Sequence, residues 1–190
     1  MDLRPSAQAA GNGIHLNRSK ELIMATEFLK NGNFIDDLKY WAAPEGFDPE
    51  FEPSPGGKGQ SIKLNTGVTV SQFIAQLPAP TLHIEFDMLS ADLDIDKVLF
   101  VIAVGGYNSE GALNLTPVIG LATQEWEHFS GDIPFGEELE KCFVNLSAPS
   151  DTSRFSFSNS LLVPLYGPVR FANLSLSLAE VDGEDDGEQD

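Results

Sequence analysis

Cysteine is nearly absent from this chain: Cys142 stands alone among 190 residues, so no internal disulfide can form. That usage is compatible with a reducing compartment. Cys142 lies in Cys142-Phe-Val-Asn-Leu-Ser147, which reads as a strand, and a buried structural thiol is expected there rather than a nucleophile. Positive charge is scarce as well. Eleven Lys and Arg stand against 29 Asp and Glu, giving a formal charge of −18 and a pI near 4.3. Such a surface repels nucleic acid phosphate and anionic lipid, which excludes both as expected partners. No apolar run approaches the ~18 residues of a membrane span. Met1 to Ile23 carries no continuous apolar stretch of the secretory kind, so a cytoplasmic location is the default expectation.

The usual marks of catalysis are missing. There is no G-x-S-x-G, no recognisable Cys/His pairing, no phosphate-binding loop and no dinucleotide fingerprint. The three histidines, His15, His83 and His128, are isolated, and His15 falls in the expected leader, so a three-histidine zinc site is not open to the folded domain. Carboxylate pairs could serve glycoside hydrolysis. With 29 acidic residues, however, close pairs arise by chance, and the expectation is a protein that is not an enzyme.

The chain is nevertheless 42% apolar and contains 13 Phe, enough for one domain with a core filled by large rings. Residues 1–26 are polar and aperiodic and are expected to be a disordered leader. Lys20-Glu21 can be encoded by AAGGAG, a bacterial ribosome-binding sequence two codons before Met24, so Met24 is an alternative start; the genomic codons and the N-terminal mass of the native protein decide this. A single domain is expected over 27–181. Asp182 to Asp190 is acidic without an apolar residue and reads as a disordered tail.

The folded part is organised around Glu27 to Trp41. Phe28 opens an apolar run, Asn31-Gly32 is a turn dipeptide because both residues tolerate positive φ, and Phe34, Leu38 and Trp41 then recur at spacings of four and three. The chain should enter as an edge segment, turn sharply and drop large groups onto the core. Ala42 to Gly59 follows, with Pro44, Pro49, Pro53 and Pro55, and reads as an acidic loop without regular structure. Short strands succeed one another from Ser61 onward. Thr81 to Met88 has the cleanest period of two, with Leu82, Ile84, Phe86 and Met88 on one face and His83, Glu85 and Asp87 on the other. Val98 to Val104 is continuously apolar, as a central strand should be. Further strands are expected at 115–121, 125–130, 142–147, 154–158 and 169–181, with a loop or helical turn at 131–140. Nine or ten short strands with regular turn signals and no helical stripe indicate an all-β antiparallel sandwich of the jelly-roll kind.

Three sets of residues are candidates for ligand contact. The wet face of the Thr81 strand, His83, Glu85 and Asp87, either is simply solvated or lines a groove whose carboxylates accept sugar hydroxyls. Gly105-Gly-Tyr-Asn-Ser-Glu-Gly111 reads as a loop with Tyr107 at its tip. It is either an incidental hairpin or a platform on which sugar C–H groups stack while Asn108 and Glu110 bond to hydroxyls. Tyr166, in the turn before the last strand, is a second stacking candidate. Asp92, Asp94 and Asp96 alternate, but an EF-hand would need Gly and Glu where Lys97 and Ala103 stand, so no metal or cofactor is expected from them.

Asn31-Gly32-Asn33-Phe34 with Leu38 and Trp41 resembles the opening of carbohydrate-binding jelly rolls of the galactose-binding-like type. The order of later segments is similar too: Gly59 to Leu64 with Val70 to Ile74, Glu125-Trp126-Glu127-His128-Phe129, and Val169 to Leu176. The resemblance implies a lectin-like module whose partner is a glycan. Galactose-binding-like folds also serve as protein-interaction or assembly modules without a sugar ligand, and that is the alternative. Many such modules hold a structural calcium ion with carboxylates near positions occupied here by Ile35 and Asn173, so no cofactor is expected and a structural calcium stays an open alternative.

Overall fold

A computed structural model describes residues 27–77, 80–150 and 166–179. The expected leader, the acidic tail and the strand expected at 154–158 lie outside these residues. Nine strands are present among the described residues: β1 (Glu50–Pro53), β2 (Gln60–Leu64), β3 (Thr69–Leu77), β4 (Thr81–Ser90), β5 (Lys97–Tyr107), β6 (Leu113–Thr123), β7 (Glu127–Pro134), β8 (Leu139–Ser147) and β9 (Val169–Leu178). They form two antiparallel sheets, ordered β1-β2-β9-β4-β7 and β3-β8-β5-β6. Successive strands cross repeatedly between the sheets, as in a jelly roll, and the two inner faces enclose one core.

Alternation decides what each sheet buries. On β4, Leu82, Ile84, Phe86 and Met88 point inward, while His83, Glu85 and Asp87 lie on the outer face. Opposite them, Val98, Phe100, Ile102 and Val104 of β5 enter the same core. β5 is paired on both sides, by β6 and β8, which explains its unbroken apolar run.

The segment 27–42 closes the side of the sandwich between β9 and β3. The Phe28 amide donates to the Leu176 carbonyl at 2.8 Å and the Leu174 amide donates to Gly32 at 3.0 Å, so the entering chain runs along the free edge of β9. It then turns through residues 30–40 and bridges to β3 at Ala42–Ser71. Phe34 and Trp41 are buried with ring centroids 5.5 Å apart, and Leu38 packs partly against the same core.

Three expectations are corrected. The Pro-rich loop 42–59 contains strand β1 and a 3-10 turn at Pro55–Gly57. β1 lies at a sheet edge, where the missing N–H of Pro53 costs no ladder bond on the open side. The loop expected at 131–140 is confined to the four residues between β7 and β8. The loop expected at 105–111 is also shorter, because β5 continues through Gly105 and Gly106 to Tyr107. These glycines accommodate the protein's own neighbours. A Cβ on Gly105 would lie 2.7 Å from the Asn114 carbonyl oxygen and 2.9 Å from a Leu115 methyl, and one on Gly106 would lie 2.7 Å from Cys142 Sγ.

Candidate functional site

The two outer faces of the sandwich differ in chemistry. On the four-stranded sheet, register places Phe73 (β3), Phe143 (β8), Gly105 (β5) and Leu115 (β6) in one row across the strands. Tyr107 follows Gly105 by two residues on the same face, opposite Leu113. Tyr40, from the entering segment, stands beside β3. Six of the eight large hydrophobics exposed among the described residues belong to this face or its rim: Tyr40, Phe73, Tyr107, Leu113, Leu115 and Ile119. Phe73 is the most open ring, at 74% exposure. Side chains of this kind normally find cover, so their gathering on one face marks a contact surface.

Two depressions run into each other here. One, of about 430 Å³, follows the free edge of β3 between Phe28, Lys30, Tyr40 and Phe73. The other, of about 530 Å³, crosses the sheet between Phe73, Lys141, Phe143 and Tyr107. They share Phe73, Ile74 and Ala75, and together form a groove with rings along its floor and walls. Its rim is set by unusual backbone. Tyr40 has φ +74° and Lys141 φ +48°, both in the left-handed region that bulky residues avoid. Lys141 sits where β8 carries an extra residue against β5: Gly105 faces Phe143, while Tyr107 faces Glu140. Cys142 lies beneath this bulge, and burial pushes its thiol pKa up, as suits a structural group.

The opposite outer face, on the five-stranded sheet, is polar. His83 Nδ1 lies 2.6 Å from Asp132 Oδ1, and its Nε2 lies 3.0 Å from Ser130 Oγ and 3.3 Å from Glu85 Oε1. Asp87 bonds to His128 Nδ1 at 2.8 Å and accepts from Asn173 Nδ2 at 2.6 Å. Ser130, His83 and Asp132 thus fall in the order of a nucleophile, base and orienting acid. Glu85 shares Nε2 with the serine, however. With carboxylates at both ring nitrogens the imidazolium is favoured, and an imidazolium has no lone pair to take a proton from Ser130.

The hydrogen bond to Asp132 raises the His83 pKa above 6.5, with Glu85 adding to it and burial opposing. A raised folded-state pKa stabilises the protein fully below the unfolded value and loses that contribution as pH rises through the folded one. Urea titrations at low salt should therefore show stability falling as pH rises above about 6.5. His83→Gln should remove that step. The step should be small, because Asp132 is 57% exposed and water screens it.

The structure distributes the sequence candidates among three places. Tyr107 and Asn108 border one small depression with Ser109 and Glu140 at the end of β5. Asn108 is largely engaged within its own turn: its Oδ1 accepts from the Glu110 and Ala112 amides, and its Nδ2 donates to Glu137. Glu110 is exposed in that turn. His83, Glu85 and Asp87 lie on the far face, one sandwich thickness away. Tyr166 precedes Gly167, which packs against Val98 at the start of β5, nine residues and roughly 30 Å of strand from Tyr107. The groove residues that sequence reading passed over are Tyr40, Phe73, Phe143, Lys30 and Lys141. A Phe at an outward position of β3 is visible only once register is known.

The positions at which the resemblance would seat calcium carry a different chemistry. Asn173, at φ +51° in a bulge of β9, directs its amide N–H at the Asp87 carboxylate and, at 3.4 Å, at the Pro55 carbonyl. A donor thus lies between two oxygens that a cation would otherwise draw together, and Ile35 is exposed and apolar. Among the described residues no group of three or more His, Cys, Asp or Glu is gathered to hold a metal. These residues do not fit the ion.

The architecture is that of a jelly-roll β-sandwich, the fold of carbohydrate-binding modules. No protein-family model and no curated protein matches the sequence. Solved structures are similar in fold at low identity. The tandem CBM22 domain of Xyn10C from Paenibacillus barcinonensis superposes with a TM-score of 0.57 at 13% identity, over 86% of this chain and 48% of that one. A family 16 carbohydrate-binding module gives 0.54 at 12%, over 78% and 98%. The module TmCBM61, solved with β-1,4-galactotriose, gives 0.52 at 13%, over 81% and 99%. The enzymatically active domain of tailspike protein 4 from bacteriophage CBA120 gives 0.54 at 10%. This chain spans only 21% of that tailspike domain, but nearly the whole of the single modules.

Proposed function

We propose that the protein is a non-catalytic, lectin-like carbohydrate-binding module whose ligand lies in the groove on the four-stranded sheet. One observation carries this reading: Tyr40, Phe73, Phe143 and Tyr107 line a continuous open groove. Sugar rings present C–H patches that stack on such faces, and polar groups at the rim take their hydroxyls. Gln76 and the two lysines supply polar groups along it. The fold shared with modules described as xylan-binding, or solved with a galactotriose, supports the same reading.

A glycan array probed with the full chain tests it. Phe73→Ala and Tyr107→Ala should each weaken the strongest signal by about tenfold, the worth of one stacked ring at roughly 1–1.5 kcal/mol. Both should leave the melting temperature unchanged, because both rings are exposed. Tyr166→Ala should retain binding. A blank array from folded protein, or full affinity in both variants, overturns the reading.

The assembly-module alternative has its own support. Leu113, Leu115, Pro117 and Ile119 make an aliphatic ridge on edge strand β6, and aliphatic side chains favour protein contact over sugar. It predicts a blank array together with a partner or self-association that Leu115→Lys abolishes.

A further inference from the structure

We propose that the groove selects anionic glycans, chains bearing carboxylate or sulfate groups, through Lys30 and Lys141. This rests on the glycan reading of the same groove and goes beyond it in naming the ligand's charge.

The observation is one of contrast. The chain carries 29 acidic residues and 11 basic ones, yet among the described residues no Asp or Glu lines either of the two connected depressions. The charged side chains that do line them are Lys30 in one and Lys141 in the other, and Phe73 lies in both. Among the described residues, neither lysine has a carboxylate within 4.0 Å. Lys63 and Arg170, on the other sheet, are by contrast paired to Glu50 and Glu52. The ammonium groups in the groove are therefore available to a ligand.

Both lysines are held in place by specific local structure. Lys30 is clamped through its backbone: its amide donates to Gln72 Oε1 at 2.7 Å, and its carbonyl accepts from Gln72 Nε2 at 2.8 Å. Gln72 is a buried polar residue, 2% exposed, and this reciprocal pair satisfies its amide. Lys30 Nζ then rests 5.3 Å from the centre of the Tyr40 ring. A cation over the ring leaves its ammonium free to meet an anion beside a stacked sugar. Lys141 is placed by the β8 bulge, in a backbone conformation that disfavours any side chain. Acidic groups return at both ends: Asp36 pairs with Lys39, whose Nζ also lies 5.3 Å from the Tyr40 ring, and at the Tyr107 end Glu140 borders the neighbouring depression and Glu137 bonds to Asn108. The cationic part of the groove is thus centred on Phe73.

The experiment uses a glycan array that includes uronate polysaccharides and their carboxyl-reduced counterparts, and sulfated polysaccharides and their desulfated counterparts. The full-length protein should bind the anionic member of a pair about tenfold more tightly than its neutral counterpart, and which pair responds identifies the anion. Lys30→Gln and Lys141→Gln should each cost about threefold, in line with solvent-exposed charge pairs. The double variant should bind both members alike. Raising NaCl to 0.5 M should shrink the difference, as screening requires. Equal binding to charged and neutral members, or preference unchanged in the double variant, overturns the proposal and leaves the glycan reading standing. A blank array overturns both.

Discussion

Phe86→Ala is expected to lower the unfolding free energy by about 3–5 kcal/mol, the range for large core aromatics replaced by alanine. Phe86 is fully buried on β4 and touches three other rings. Phe129 stacks on it at 4.9 Å and 22°, Phe100 meets it edge-on at 5.7 Å and 77°, and Phe171 lies 6.4 Å away. Phe129 and Phe171 come from the flanking strands of the same sheet, while Phe100 comes from the facing sheet. Removing Phe86 therefore opens a cavity where both sheets meet, and the neighbours can collapse into it only by breaking their own contacts. For a domain of this size the loss corresponds to a fall of about 10 °C in melting temperature. Phe73→Ala is the control. It removes the same side chain from a 74% exposed position and should change stability by less than about 0.5 kcal/mol. If Phe86→Ala cost less than about 1 kcal/mol by urea titration, the assignment of this ring cluster as the centre of the core would be wrong.

The residues that made the fold legible are those where period and environment agree. Thr81 to Ser90 alternates, and its alternation matches the buried and wet faces of β4. Val98 to Val104 is apolar throughout and proves to be flanked on both sides. β6 shows where period alone fails. Its Leu113, Leu115, Pro117, Ile119 and Leu121 alternate with Asn114, Thr116, Val118 and Gly120, and the bulkier set faces outward. The inner side of β6 is already occupied: a Cβ on Gly120 would lie 2.8 Å from the Phe100 ring. Strand pattern records which residues share a face, but only the partner sheet decides which face is inside.

The same limit hid the candidate site. Tyr107 stands out in sequence because it follows two glycines, and it lines the second of the two depressions. Phe73 and Phe143 look like core residues until register pairs them on the outer surface. Lys30 and Gln72 are 42 positions apart, and nothing local announces that one clamps the other. The β8 bulge at Lys141 depends on a mismatch between two strands that are distant in sequence. The wet face of β4 was legible as a face. Its engagement with Ser130, Asp132 and His128 was not, because those partners arrive from β7.

Gly32→Ala is expected to be the most damaging single methyl that can be added to the entering segment. A Cβ at this position would lie 2.0 Å from the Leu174 carbonyl oxygen, far inside contact distance, and 3.0 Å from the carbonyl carbon. The obstruction is backbone, so no rotamer change relieves it. The two chains are also joined there, because the Leu174 amide donates to the Gly32 carbonyl at 3.0 Å. That bond exists because of the bulge at Asn173, beyond which β9 no longer pairs with β2 and turns its free edge to the entering chain. Moving Gly32 away would break this bond and pull on Phe34 and Trp41, which the same turns carry into the core. Overpacking costs typically 1–3 kcal/mol and a lost buried hydrogen bond about 1 more, so a loss of about 3 kcal/mol is expected. Trp41 fluorescence should shift to the red if the segment lifts off. Gly46→Ala provides the contrast, since Gly46 has φ +77° and nothing within 4 Å of its would-be Cβ. It should cost only the left-handed strain of about 1–2 kcal/mol and leave Trp41 emission unmoved. Gly32 itself does not take a positive φ, so equal losses in the two variants would show that the approach to β9 matters no more than the left-handed strain at Gly46 does, and would sink this account of the turn. A larger loss in Gly32→Ala, with the red shift, would identify residues 27–42 as the wedge that closes the sandwich and carries Lys30 and Tyr40 to the groove.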